Sequence, residues 1–151
     1  MAADEDKQEK LDRELIELLN ELRVAIPGIQ VLFAFLLTVP FTQRFNTVTE
    51  FQEYTYYVTL LCAAVASALL IAPSSYHRVR FRQQDKQQML ITSNRLAIAG
   101  LAVLAVAMTG VVVLITDVLF QDAMVVVAGG AVALMFAWFW YGLPLSRRAQ
   151  D

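Results

Sequence analysis

Three long runs of uncharged, mostly apolar residues constrain this chain more than any other feature of its sequence. They occupy residues 54–72, 96–116 and 123–145. A bilayer core of about 30 Å requires about 20 helical residues at about 1.5 Å each. Each run is therefore long enough to cross a membrane as a helix, and the sequence predicts at least three transmembrane helices.

A fourth apolar run, residues 24–41, is shorter and is interrupted by Pro27 and Gly28. It reaches a spanning length if the helix before it continues into the run and Pro27 kinks that helix. A re-entrant segment is the alternative. We expect a span here, and hence an all-α integral membrane bundle of four transmembrane helices over residues 24–145. An N-terminal amphipathic helix, residues 1–23, precedes the bundle, and a short tail, residues 146–151, follows it.

The composition agrees with a membrane protein and argues against several other classes. Apolar residues make up 58% of the chain and charged residues 17%, against about 45–50% and about 25% in soluble domains. The single cysteine, Cys62, cannot form an intrachain disulfide, and one Cys with one His cannot build a four-ligand zinc site. The sequence shows no nucleophile–base order, paired carboxylates or phosphate-binding loop. We therefore expect no enzymatic activity, no cofactor and no metal.

The basic residues predict the orientation of the chain in the membrane. With four spans, the N-terminus, the loop 73–95 and the C-terminus share one side, which carries every lysine and arginine except Arg44, or 11 of the 12. Such a bias places the basic side in the cytoplasm. The sequence thus predicts a multi-pass protein of a bacterial cytoplasmic (inner) membrane with both ends cytoplasmic.

The N-terminal segment is typical of an acidic amphipathic helix. Its apolar stripe, spaced by four, three and four residues, consists of Leu11, Leu15, Leu18 and Leu22. Acidic residues cover the other face, and an anionic leaflet would repel them. We therefore expect the stripe to pack against protein, either another copy or the same chain.

A cationic cluster follows the second span. It comprises His77, Arg78, Arg80, Arg82 and Lys86. Three interpretations remain open: a topology signal in contact with anionic lipid, a docking surface for the acidic helix, or a binding site for a soluble ligand. Nucleic acid is not expected as a partner, because so few positive charges lie beside such an acidic segment.

Small residues at helical spacing predict the packing faces of the spans. They are Ala64 and Ala68 on the second span, and Gly129, Ala133 and Ala137 on the fourth. Helices in lipid associate largely by close backbone approach, which small side chains allow. We expect these faces to be contact surfaces.

Polar residues within the spans are the candidates for an ion pathway. Gln30 and Thr38 lie in the first span, and Asp117 lies near the outer end of the third. Asp117 is either a plain interfacial carboxylate or a cation or proton site.

The chain resembles a family of small four-span bacterial proteins of unknown function that is common in actinobacteria. The resemblance covers residues 19–148 and is carried by LNELRVAIPGIQVLFAFLLTVPFTQRF, IAPSSYHRVRFR and NRLAIAGLAVLAVAMTGVVVLITDVLF. It implies the four-span architecture. Because some members are labelled sodium:proton antiporters, it also implies a tilt towards ion transport, and it implies no catalytic residues.

Two classes of function fit these features. In the first, copies associate in the bilayer as an ion or small-solute transport or channel component, lined by the polar and irregular first span. In the second, the chain is a non-transporting scaffold or accessory subunit. It then binds membrane or cytoplasmic protein partners through the acidic helix and the basic loop.

The predicted orientation can be tested with engineered cysteines in a Cys62→Ala background. A cysteine within residues 46–50 should react with an impermeant thiol reagent added to intact cells. Cysteines at Gln84 or Gln150 should react only after the membrane is opened, because both positions lie on the basic side. Labelling of position 84 in intact cells would reverse the orientation.

Overall fold

The computed structural model describes residues 2–80, 86–120, 122–143 and 146, with side chains for residues 9–43, 45–75, 87–120, 122–143 and 146. Every described element is helical, so the predicted all-α class is confirmed. The long helices of this part of the chain are α1 Ala2–Thr38, α2 Glu50–Arg80, α3 Lys86–Phe120 and α4 Met124–Ala137. Two 3-10 turns, Val39–Phe41 and Gln43–Thr47, connect α1 to α2, and a π-helical turn, Trp138–Gly142, extends α4.

Four helical stretches among the described residues are long and apolar enough to cross a membrane. They are Glu9–Phe41, Glu50–Ser75, Gln87–Phe120 and Met124–Gly142. The spans predicted at 54–72 and 96–116 are therefore the middle parts of longer helices. The segment 73–95, predicted as a loop between the second and third spans, is helical up to Arg80 and again from Lys86.

The helix α1 joins the predicted amphipathic head and the first span in one element of 37 residues. Pro27 lies inside it. The proline ring removes the N–H that would bond the carbonyl of Arg23, four residues earlier. The helix nevertheless continues through this position, so the head and the span form one helix rather than two.

One face of each of the first three helices is buried, at a spacing of seven residues on α1 and of three or four residues on α2 and α3. On α1 the most buried residues are Leu15, Leu22, Ile29 and Leu36, which are 7%, 3%, 1% and 4% exposed. On α2 the buried residues are Gln52, Tyr56, Thr59, Ala63, Ala66, Leu70 and Pro73. On α3 they are Met89, Ser93, Ala97, Gly100, Leu104 and Ala107. A repeat near 3.5 residues keeps one face of a long helix on its neighbours, as in coiled coils.

The chain divides into two compact units. The first comprises Met1–Phe35 and Ala63–Val103, and the second comprises Leu36–Cys62 and Leu104–Asp151. In the first unit the core is made by Leu15, Leu22 and Ile29 of α1 with mostly small residues of α2 and α3, to which Leu70 and Met89 add larger side chains. The second unit contains the connection between α1 and α2, the end of α3 and all of α4.

Glycines on α3 and α4 permit close contacts with neighbouring helices. In the first unit, a Cβ at Gly100 would lie 2.8 Å from Leu70 Cδ2. In the second unit, a Cβ at Gly110 would overlap Thr59 Oγ1 and lie 3.3 Å from Thr59 Cβ, and one at Gly129 would lie 2.6 Å from Val113 Cγ2. These glycines are therefore required by packing rather than by backbone conformation.

The predicted packing residues take different places in the structure. Gly129 is the buried residue of α4, while Ala133 and Ala137 are exposed and border an open groove between α3 and α4. On α2, Ala64 is half-buried and Ala68 is exposed. The fully buried alanines of that helix are Ala63 and Ala66.

Substitution of Gly110 by alanine tests the close contact between α2 and α3. The added methyl would displace the Thr59 hydroxyl from its hydrogen bond to the carbonyl oxygen of Thr55, which is 2.6 Å long. We expect Gly110→Ala to lower the free energy of unfolding in detergent by about 1–3 kcal/mol, the usual cost of overpacking.

The matched control is Gly130→Ala, because nothing lies within 4 Å of a Cβ at Gly130. That variant should be unchanged or slightly more stable, since alanine is the better helix former. Equal loss of stability in both variants would show that the Thr59 contact is not what the glycine serves.

Candidate functional site at the connection between α1 and α2

The polar residues of the second unit gather where α1 passes into α2. The sequence TEFQ, residues 49–52, forms a capping box at the start of α2. The Gln52 N–H donates to Thr49 Oγ1 at 3.3 Å, and the Thr49 N–H donates to Gln52 Oε1 at 3.2 Å. Two backbone donors of the first helical turn are thereby satisfied.

The Gln52 side chain also reaches the end of α3. Its Nε2 donates to Asp117 Oδ2 at 2.9 Å, and Gln52 is only 5% exposed. Because Oε1 accepts from the cap and Nε2 donates to Asp117, the amide has one orientation that satisfies both ends. Asp117 lies in the last turn of α3, where the helix dipole disfavours an anion, and this hydrogen bond offsets that cost.

Tyr56, one turn further along α2, forms a hydrogen bond with the last turn of α1. Its hydroxyl donates to the carbonyl oxygen of Leu36 at 2.9 Å. In a continuing helix that carbonyl would accept from residue 40, but Pro40 has no N–H to donate. The Tyr56 ring also packs edge-on against Phe45, with ring centroids 5.4 Å apart at 75°.

Two cavities flank this tyrosine. A narrow one of about 120 Å³ is lined mainly by apolar side chains and includes Gln52 and Tyr56 in its wall. A wider, open one of about 490 Å³ is bordered by the Phe45–Tyr56 pair, the carboxylates of Glu50 and Glu53, and two further tyrosines. We call the wider one the tyrosine cavity.

The residues predicted to form an ion pathway do not meet at one place. Asp117 is half-buried and bonded to Gln52 in the second unit. Gln30 is exposed on α1 in the first unit, and Thr38 is exposed at the end of α1. Among the described residues, no group of three or more His, Cys, Asp or Glu is placed to hold a metal ion.

The predicted basic cluster lies outside the part of the chain whose side chains are described. His77, Arg78 and Arg80 belong to the last turns of α2, and Lys86 is the first residue of α3. Arg82 falls in the undescribed segment between the two helices. Their contact with the acidic head stays a prediction.

The head stripe packs within the first unit. Leu15 and Leu22 are buried, and Leu11 and Leu18 are half-buried. An open groove of about 330 Å³ brings Leu18, Glu17 and Glu21 beside Leu90 and Asn94 of α3. The described ion pairs of the head, Lys10 with Glu14 at 4.0 Å and Arg13 with Glu9 at 3.8 Å, lie within α1 and are exposed.

Two residues of this site carry a signal that the sequence analysis did not use. Gln52 follows Thr49 at the spacing of a capping box, which marks a helix start. Pro40 lies four residues after Leu36 and so predicts an orphan carbonyl. Nothing in the sequence pattern assigns the partner of either group.

The described residues are those of an all-helical protein, with four helices long and apolar enough to cross a membrane. The chain belongs to a family of unknown function (DUF6328), which it matches over residues 4–144. No curated protein and no solved structure matches the chain.

An exchange of the acid and the amide tests the bond between α2 and α3. In Gln52→Glu the cap can persist, but two carboxylates then face each other, and we expect a loss of about 1.5–3 kcal/mol, the worth of a charged hydrogen bond. Adding Asp117→Asn restores a donor opposite an acceptor. Thermal unfolding in detergent should therefore show the double variant to be more stable than Gln52→Glu alone.

The control for removal of one negative charge is Asp122→Asn, since Asp122 is exposed. It should leave the unfolding midpoint nearly unchanged. A double variant no more stable than Gln52→Glu would mean that this bond does not hold the two helix ends together.

Proposed function

We propose that this chain is an integral membrane protein whose copies associate and form a pathway for an ion or a small solute. Its four apolar helices support membrane insertion. The bias of 11 of 12 lysines and arginines to one side supports cytoplasmic N- and C-termini, and it puts Asp117 and the tyrosine cavity on the outer side. The proposal assigns the chain no catalytic chemistry.

The observation that carries the proposal is the position of Gln30. Its side chain is exposed, although it lies inside the candidate span Glu9–Phe41. Its apolar neighbours Val31 and Phe35 are 65% and 73% exposed, as expected of residues facing lipid. An amide without a hydrogen-bond partner in hydrocarbon costs about 4–8 kcal/mol, and a second Gln30 from another copy supplies both a donor and an acceptor.

The interior of one chain supports a pathway between copies rather than through a single copy. Among the described residues, the buried polar side chains are Gln52, Thr59 and Ser93. Thr59 is bonded to its own helix, and Gln52 to the cap and Asp117. Within the described part of the chain, Ser93 Oγ is buried without a hydrogen-bond partner, and Ser93 belongs to the first unit, whereas Gln52 and Thr59 belong to the second. Three such separate side chains do not form a continuous polar route.

The alternative, a scaffold or accessory subunit, is favoured by a separate observation. The acids Glu14, Glu17 and Glu21 are exposed on one side of α1 and border the groove beside Asn94. This acidic surface suits a basic segment of a membrane or cytoplasmic protein. A scaffold also needs no polar residue in the centre of the bundle.

Substitution of Gln30 tests the assembly. Interhelical hydrogen bonds in membranes are worth about 0.6–1.7 kcal/mol, so we expect Gln30→Leu to weaken self-association about 3- to 20-fold. Fluorescence energy transfer between labelled copies in liposomes measures that change. Flux of sodium, potassium and protons, measured in the same liposomes, should fall together with it.

Val31→Leu is the matched control, since it changes a neighbouring exposed residue and keeps its apolar character. It should leave association and flux intact. A wild-type protein that is monomeric and carries no flux overturns the proposal. Association without flux of any of these cations would leave the scaffold as the better explanation.

A further inference from the structure

The tyrosine cavity combines features that ordinary helix capping and membrane anchoring do not explain together. Acids in the first turn of a helix are favoured by its dipole, which accounts for Glu50 and Glu53. Tyrosines at a membrane interface are common. Neither reason requires the carboxylates and the rings to border one open space of about 490 Å³, which is the size of small-ligand sites.

The inner wall of this cavity is fixed. Tyr56 is 6% exposed, its hydroxyl is held by the Leu36 carbonyl, and its ring packs against Phe45. A wall held by a hydrogen bond and a ring contact loses little entropy when a ligand binds. The open side carries Tyr54 and Tyr57, which are 72% and 56% exposed.

The charge of the cavity selects a cation. Glu50 and Glu53 are exposed carboxylates on its border, and no lysine or arginine is among the described residues that line it. Aromatic rings attract cations through their negative faces, and quaternary ammonium groups are commonly recognised by several rings around one charge.

The same geometry disfavours a metal ion. Calcium takes six to eight oxygen ligands, and magnesium takes six at nearly ideal octahedral positions, usually with phosphate groups and waters beside its carboxylates. The described residues hold no group of three or more candidate ligands. A large, soft cation requires only nearby charge and ring surface, which this cavity provides.

We propose that the tyrosine cavity binds a quaternary or methylated ammonium group of about the size of choline. The group belongs either to a soluble organic cation or to the headgroup of a zwitterionic lipid, because the site is open and next to a candidate span. The inference stands apart from the assembly through Gln30, since every residue that it uses belongs to the second unit.

The test compares choline with 3,3-dimethyl-1-butanol, which has the same shape but no charge. Both are titrated by calorimetry against the full chain in maltoside micelles, which contain no ammonium group. We expect choline to bind and the alcohol not to bind measurably. Equal binding of the two would overturn the proposal, and so would an absence of choline binding.

Variants separate the rings from the charges. Tyr54→Leu should weaken choline binding about 2- to 30-fold, whereas Tyr54→Phe should retain it, because the ring face carries the interaction. Glu50→Gln with Glu53→Gln should weaken it further. Phe51→Leu is the matched control, since Phe51 is 54% exposed on the same helical turn and is absent from the described cavity wall. Loss of choline binding in Phe51→Leu would overturn the assignment. Unchanged choline binding in the double variant of Glu50 and Glu53 would also overturn it.

The source of the ammonium group is distinguished in lipid nanodiscs. Choline binding is measured in phosphatidylglycerol discs with and without added phosphatidylcholine. Competition by the lipid at unchanged protein stability assigns the site to a headgroup. Choline binding that is unaffected by the lipid assigns it to a soluble cation.

Discussion

Apolar helices in a bilayer gain little from meeting one another, because lipid chains offer them the same apolar contact. Their association depends on close packing. In this chain α1, α2 and α3 each bury one face, at a spacing of seven residues on α1 and of three or four residues on α2 and α3. The requirement is strictest where Gly110 meets Thr59, since even one methyl group does not fit there.

The connection between α1 and α2 lies where the packed helices end, and hydrogen bonds hold these helix ends together. One helical turn of α2 ties three helix ends together through two side chains. Tyr56 serves the last turn of α1 at Leu36, and Gln52 serves both its own helix start at Thr49 and the last turn of α3 at Asp117. Backbone groups left without a helical partner where the chain turns are thus satisfied by side chains, as buried backbone groups require.

The four helices could be predicted from the sequence, because apolar length and absence of charge suffice to recognise a candidate span. Their ends could not, since a helix continues through charged residues that no apolar run includes, as α2 does up to Arg80. The contact between Gln52 and Asp117 joins residues 65 positions apart. Periodicity assigns a buried face to each helix but does not say which helices meet. The contact between Gln52 and Asp117 could therefore not be predicted from the sequence.

The alanines of α2 show the same limit in one element. Ala64 and Ala68 are spaced for a packing face, yet the fully buried alanines are Ala63 and Ala66. A shift of one residue turns a helix by about 100°, and an alanine-rich helix offers several small-residue faces. The leucines of the head were more informative, because the buried positions Leu15 and Leu22 continue to Ile29 at the same spacing of seven residues.

The continuity of α1 has a mechanical consequence. At about 1.5 Å per residue, its 37 residues form a rod about 55 Å long. The acidic end and Gln30 lie on the same rod and in the same compact unit. A protein that grips the acidic end and twists it therefore turns Gln30 as well, with Pro27 as the single weakened joint between them. Such a rod transmits a rotation of its acidic end along its length.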